Sequence, residues 1–152
     1  MRSLIICLSL LFSYQAFAQL NIESPRVRAM PPGQANTAAF FTLHNNGKKD
    51  IRLTSANTKV ANKSEFHMHS MSSNGIMSMS RVTEINIKAG QSFEFKSGGH
   101  HVMIMGLKKN LIPGESIQLI LYDDQKQKHS FSVPVMTVMD AQKMEKNQHV
   151  HH

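Results

Sequence analysis

The run His101-Val102-Met103-Ile104-Met105 decides how this chain is read, because its side chains sort cleanly at a period of two. In an extended strand successive side chains point to opposite faces. Val102 and Ile104 then supply one apolar face, and His101, Met103 and Met105 share the other. A strand with one aliphatic face already has its core contact, so the His/Met face needs a separate explanation. The same alternation recurs in Glu65-Phe66-His67-Met68-His69, with His67 and His69 opposite Phe66 and Met68, and in Ile76-Met77-Ser78-Met79, where the two methionines share a face.

Working outward, short alternating segments fill the chain. Strands are expected at 20–28, 38–44, 51–57, 64–70, 76–82, 84–87, 92–95, 101–105, 116–122 and 128–133. Turn signals fall between them: Pro31-Pro32-Gly33, Asn45-Asn46-Gly47, Ser73-Asn74-Gly75, Ala89-Gly90, Gly98-Gly99, Pro113-Gly114 and Asp123-Asp124. Ahead of the C-terminal end no window of helical length carries a 3.6-residue period. Many short strands at roughly ten-residue spacing indicate an all-β fold, a two-sheet antiparallel sandwich. The sandwich is expected to end near Pro134 and occupy residues 19–135. Residues 136–152 then form a flexible tail rich in Met and His, in which 136–146 could also make a short helix.

The N-terminus reads as an export signal. Met1-Arg2 gives the charge, Leu4 to Phe12 the apolar stretch, and Ala16-Phe17-Ala18 a small-x-small cleavage site before Gln19. The stretch is too short for a stop-transfer helix, which needs roughly 20 apolar residues. Cys7 lies within the apolar run, which argues against a lipid-anchoring cysteine. Residues 1–18 are therefore expected to be removed, placing the protein in the periplasm with no stable membrane insertion. Cys7 is the single cysteine; its loss leaves no disulfide and no thiolate ligand. The formal charge of +7 comes from scattered lysines, and with two Tyr and no Trp the chain makes a poor nucleic-acid binder. A solvated basic surface is the plain reading.

The spacing of these residues resembles the PCu(A)C family of periplasmic copper chaperones. His67-Met68 is followed by ten residues and then Met79; 21 residues later come His101, Val102 and Met103. Glu65, the run Asn74-Gly75-Ile76-Met77-Ser78-Met79, the turn Lys88-Ala89-Gly90, and Gly98-Gly99 leading into His-Val-Met-Ile-Met-Gly-Leu also match, and spacing selects His101 over His100. The resemblance spans roughly residues 20–135. It implies a cupredoxin-like, Greek-key β-sandwich with a Cu(I) site near the surface, held by His67, Met79, His101 and Met103. It also implies delivery of copper toward a respiratory oxidase, the acceptor being a cytochrome c oxidase subunit or a thiol-bearing assembly factor.

Donor chemistry points the same way. Thioether sulfur is soft and favours Cu(I), while imidazole suits either oxidation state of copper. Zinc sites draw on Cys, His and carboxylate, an incomplete set here. A blue-copper electron-transfer centre needs a Cys ligand, which the processed chain lacks. Taken singly, Met79 or Met103 would be core filler; with two histidines at matching spacing they read as ligands. Met77 and Met105 are expected beside the site, Met68 inside the sandwich, His69 and Met71 at the mouth or in solvent, and His44 and His129 at the surface or at strand ends. His149, His151 and His152, following Met136, Met139 and Met144, offer a second metal site suited to Cu(II). The expectation is a monomeric copper carrier, not an enzyme. Its rivals are a scavenger or detoxifying binder without a specific acceptor, a copper-dependent redox enzyme, and a plain adhesive or structural sandwich whose Met residues are all core.

Overall fold

A computed structural model describes residues 19–148, with side chains of the last helix described through Met144. The expected leader, residues 1–18, and the tail histidines His149, His151 and His152 lie outside the described residues. Ten strands follow one another: β1 (Leu20–Arg28), β2 (Asn36–Asn45), β3 (Ile51–Asn57), β4 (Ala61–Met71), β5 (Met77–Val82), β6 (Ile85–Ile87), β7 (Ser92–Phe95), β8 (His100–Leu107), β9 (Ser116–Asp123) and β10 (Lys128–Met136). One helix, α1 (Val138–Gln148), closes the chain's described part.

The strands form one sheet in the order β5-β4-β8-β2-β1-β10-β9-β3-β6, with β7 on β2. A further pairing, Ala56 with Ser64, joins β3 back to β4, so the path from β4 to β3 closes into a barrel. Closure removes most exposed edges. The all-β expectation stands, with two refinements: the two layers are continuous, and the pairing is antiparallel except between β1 and β10, where Val27 lies beside Val135 in a parallel register. Neighbours far apart in sequence, such as β2–β8 and β3–β9, show the crossover connections of a Greek-key path.

The core is the inward half of each alternating strand. Phe41 and Leu43 of β2, Phe66 of β4, Val102 and Ile104 of β8, Leu119 and Leu121 of β9, and Val133 and Val135 of β10 are buried. Phe95 from β7 packs between Phe41 and Phe66, with ring centres 4.6 and 5.9 Å away. The fully buried aliphatic and aromatic side chains each contribute roughly 1.5–3 kcal/mol by leaving water.

Pro134 does not end the last strand. Pro134 pairs opposite Ser116, and the Val135 amide donates to the Glu115 carbonyl at 2.7 Å, which carries β10 on to Met136. Beyond it the flexible tail gives way to a helix. Thr137 accepts from the Asp140 amide through Oγ1 at 3.2 Å and donates to the Asp140 carboxylate at 2.6 Å, an N-cap with an acidic residue in the first turn.

Candidate metal centre

Pairing of β4 with β8 and β5 builds a His/Met face on the outside of the barrel. In the β4–β8 register His67 lies opposite His101 and Glu65 opposite Met103. In the β4–β5 register His69 lies opposite Met79 and Met71 opposite Met77. On the other side of β8, Met103 faces Ala38 of β2. The small Ala38 leaves space, and a cavity of about 220 Å³ opens there, lined by Met30, Ala38, Phe40, His69, Met79, His101 and Met103 among others. Phe40 forms part of its wall, its ring centre 6.3 Å from that of His101 and flanked by the guanidinium groups of Arg26 and Arg28, each at 5.4 Å.

The four residues of the spacing motif are thus brought to one region. His101 is 2% exposed. Met79 is 46% exposed and sits at the outer rim. The His67 ring centre is 6.0 Å from that of His101, although His67 flanks the cavity and does not line it. His69 does line it, stacked on His101 at 4.8 Å. Spacing left His69 between mouth and solvent; its position one strand step beyond His67, directly across from Met79, was the signal that places it. Met30 also lines the cavity, and nothing in the sequence marks it, since it follows β1 outside any motif.

Two of the histidines are held by hydrogen bonds that select a tautomer. The turn Lys96–Gly99, with Gly98 at φ +78° where a side chain is disfavoured, brings the Gly99 carbonyl within 3.1 Å of His101 Nδ1. An Nδ1–H donated there leaves Nε2 with its lone pair, the arrangement that fixes tautomer and ring orientation in metal sites. His67 Nε2 lies 3.2 Å from Glu65 Oε2, and donation to that carboxylate leaves Nδ1 as the free nitrogen. His67 Nδ1 and His69 Nδ1 are both buried without a hydrogen-bond partner. Buried polar atoms are seldom left so, and an unpaired ring nitrogen beside thioethers fits a soft metal ion.

Charge supports this state. Burial, opposed by the Gly99 hydrogen bond, lowers the pKa of His101 below the ordinary imidazole value, with His69, His67 and His100 adding to the lowering. The Glu65 carboxyl is held below its ordinary value first by the Lys63 hydrogen bond and next by His67. Its contacts are Lys63 Nζ at 2.8 Å and Arg81 Nε at 3.2 Å. Among the described residues no three His, Cys, Asp or Glu side chains group as a metal site; the side chains gathered here are imidazoles and thioethers.

Neighbouring residues sort themselves by face. His100 packs against Phe93 with ring centres 5.0 Å apart and does not line the cavity. Met77, 56% exposed, pairs with Met71 toward the hairpin tip, and Met105 lies opposite Asn36 and Lys63; neither lines the cavity. Met68, expected inside, is only partly buried. His44 bonds Glu23 and Ser92 near the surface. His129, the second residue of β10, stands at a strand end as expected, its side chain 8% exposed and bonded to Asp123 at 3.1 Å. Among the described residues no helix is long and apolar enough to cross a membrane.

Known proteins share this architecture. The LpqE-like family model matches residues 20–135. Lxx21020 of Leifsonia xyli subsp. xyli, whose name classes it with lipoproteins, is 30% identical over 104 residues, covering 68% of this chain and 62% of that protein. The solution structure of CuI-DR1885 from Deinococcus radiodurans is 30% identical, covers 81% of each chain and superposes with a TM-score of 0.63. The copper-bound PCuAC domain from PmoF2 superposes with a TM-score of 0.65 at 17% identity, covering 80% of this chain and 96% of the domain, a likeness of fold. With its His/Met face, its barrel and these matches, the chain belongs to the LpqE-like, PCu(A)C family.

Proposed function

We propose that this protein is an exported copper carrier that holds Cu(I) through His67, Met79, His101 and Met103 and passes it to an acceptor protein. The observation that carries the reading is the convergence, from three strands, of two thioethers and the His69 and His101 rings at one cavity, with His67 at its flank and the Nδ1 atoms of His67 and His69 lacking partners. Relatives point the same way: one solved relative is described in its Cu(I) form and another as copper-bound. Copper here is cargo, bound and released. Carriage asks for binding and release alone. Exposed Met79 at the rim and uncharged donors favour release, because a partner's ligands can replace Met and His one at a time.

The processed chain works in the periplasm, cut after Ala18. Its acceptor is a cytochrome c oxidase subunit or a thiol-bearing assembly factor. The tail, through His149, His151 and His152, takes Cu(II) and raises the local copper concentration near the barrel. Deleting residues 137–152 then lowers Cu(II) stoichiometry and leaves the Cu(I) site intact. The second reading, a scavenging protein without an acceptor, rests on that tail, and retention of copper in the presence of oxidase assembly proteins would favour it.

The direct test is competitive Cu(I) titration against a strong chelator, with wild type beside His101→Ala and Met103→Ala. Tight one-to-one binding in wild type and its loss in both variants is expected. Unchanged binding in either variant removes the reading.

A further inference from the structure

The cavity holds one imidazole more than the ligand set above uses. His69 stands on the same outward face of β4 as His67, two residues further along, directly across from Met79. Its ring stacks on His101 with centres 4.8 Å apart, nearer than His67 at 6.0 Å. It lines the cavity together with Met79, His101 and Met103, and its Nδ1 is buried without a partner.

Ring geometry admits either histidine. A metal about 2 Å from a ring nitrogen lies about 3 Å from the ring centre. Two rings sharing it have centres about 4.5–6.3 Å apart, from right-angled to opposed ligation. Both observed separations from His101 fall in that interval. His67 and His69 stand two residues apart on one strand face, His69 lining the cavity and His67 flanking it, each with an unpartnered Nδ1, so they offer alternatives for one place beside His101.

We infer that His69 is an alternative copper ligand, so that ion held by His101, Met79 and Met103 exchanges its fourth donor between His67 and His69. The inference rests on the carrier reading and deepens it. His67 is the inner partner, its Nε2 beside the largely buried Glu65. His69 is the outer one, on the cavity side and opposite the exposed Met79. Exchange from the first to the second moves copper toward the rim while His101, Met79 and Met103 keep hold of it, and a partner arriving at the rim meets copper already turned outward. No change of copper oxidation state is involved.

The test uses the processed chain and Cu(I) with bicinchoninate as competitor, comparing wild type, His67→Ala, His69→Ala and the double variant. Removing one of two equal alternatives costs about twofold, since the other remains. Each single variant should keep one-to-one binding within about tenfold of wild type. The double variant should fall at least another tenfold below His67→Ala. If the double variant binds as His67→Ala does, His69 is idle and the inference fails; it also fails if His67→Ala alone abolishes binding. Wild-type imidazole ¹⁵N spectra give a readout free of folding effects. On one equivalent of Cu(I) the His69 Nδ1 resonance should shift along with that of His67, and a stationary His69 signal overturns the inference. Absence of Cu(I) binding by wild type would strike the carrier reading itself, a separate outcome.

Discussion

Replacing Gly106 by Ala tests whether β8 is held as described. Gly106 follows the ligand-bearing part of β8 and has φ +68°. A Cβ built there would stand 2.7 Å from Asn62 Nδ2 and 3.1 Å from Asn62 Cβ, across the β4–β8 pairing. The amide end of exposed Asn62 can swing away, but its Cβ is fixed to β4. An L residue in the left-handed region costs about 1–2 kcal/mol, and displacing Asn62 adds several tenths. Against this, Ala lowers the entropy of the unfolded chain and recovers about 0.4–1 kcal/mol. The net loss is about 1–2 kcal/mol. For a body of residues 20–135, an unfolding entropy of about 2.1 cal/mol/K per residue converts this to a fall in Tm of about 4–8 °C. Calorimetry of the metal-free protein reads it directly. Adding Asn62→Ala should recover the part of the steric cost due to the Asn62 amide and leave the contact with the residue 62 Cβ and the backbone share. A Tm within about 1 °C of wild type would refute the positive-φ geometry of β8, and with it the register that sets His101 opposite His67.

Glu65→Ala should release His67: with the acceptor gone, its ring changes from a single Nε2–H form to a mixture of tautomers, read from imidazole ¹⁵N shifts, and an unaltered spectrum would dissociate His67 from Glu65. In the metal-free protein His101 should titrate below the ordinary value of 6.5, because burial disfavours its charged form. The sign for stability follows. The unfolded chain takes up the proton first as pH falls, so this group's effect is absent above pH 6.5 and destabilises the fold progressively below it, down through the depressed folded pKa. Urea unfolding of the metal-free protein on either side of that value checks the trend, and a His101 resonance titrating at or above it would contradict the burial.

Alternation made the strands legible. Every expected strand is present because each carries aliphatic or aromatic residues at period two, Val102 and Ile104 or Leu119 and Leu121 among them. Ends were less legible: β4 begins at Ala61 and β10 runs past Pro134, since a proline opposite Ser116 still leaves Val135 free to donate. The parallel β1–β10 pair and the closure of β3 on β4 depend on which strands meet in space, which periodicity does not encode. At the site, parity correctly put His67, His69, His101 and Met103 on outward faces. Register, not parity, sets His69 against Met79 and into the cavity, and Met30 arrives from a turn with no pattern of its own.

The most direct measurement on the central claim is the copper K-edge absorption spectrum of the Cu(I)-loaded protein, taken on wild type and on Met103→Leu. Leu fills nearly the volume of Met, so the fold is kept while one sulfur is removed. A first shell of two sulfur and two nitrogen donors in wild type, reduced to one sulfur in the variant, is the predicted result. A wild-type shell without sulfur, or one that Met103→Leu leaves unchanged, would contradict the account.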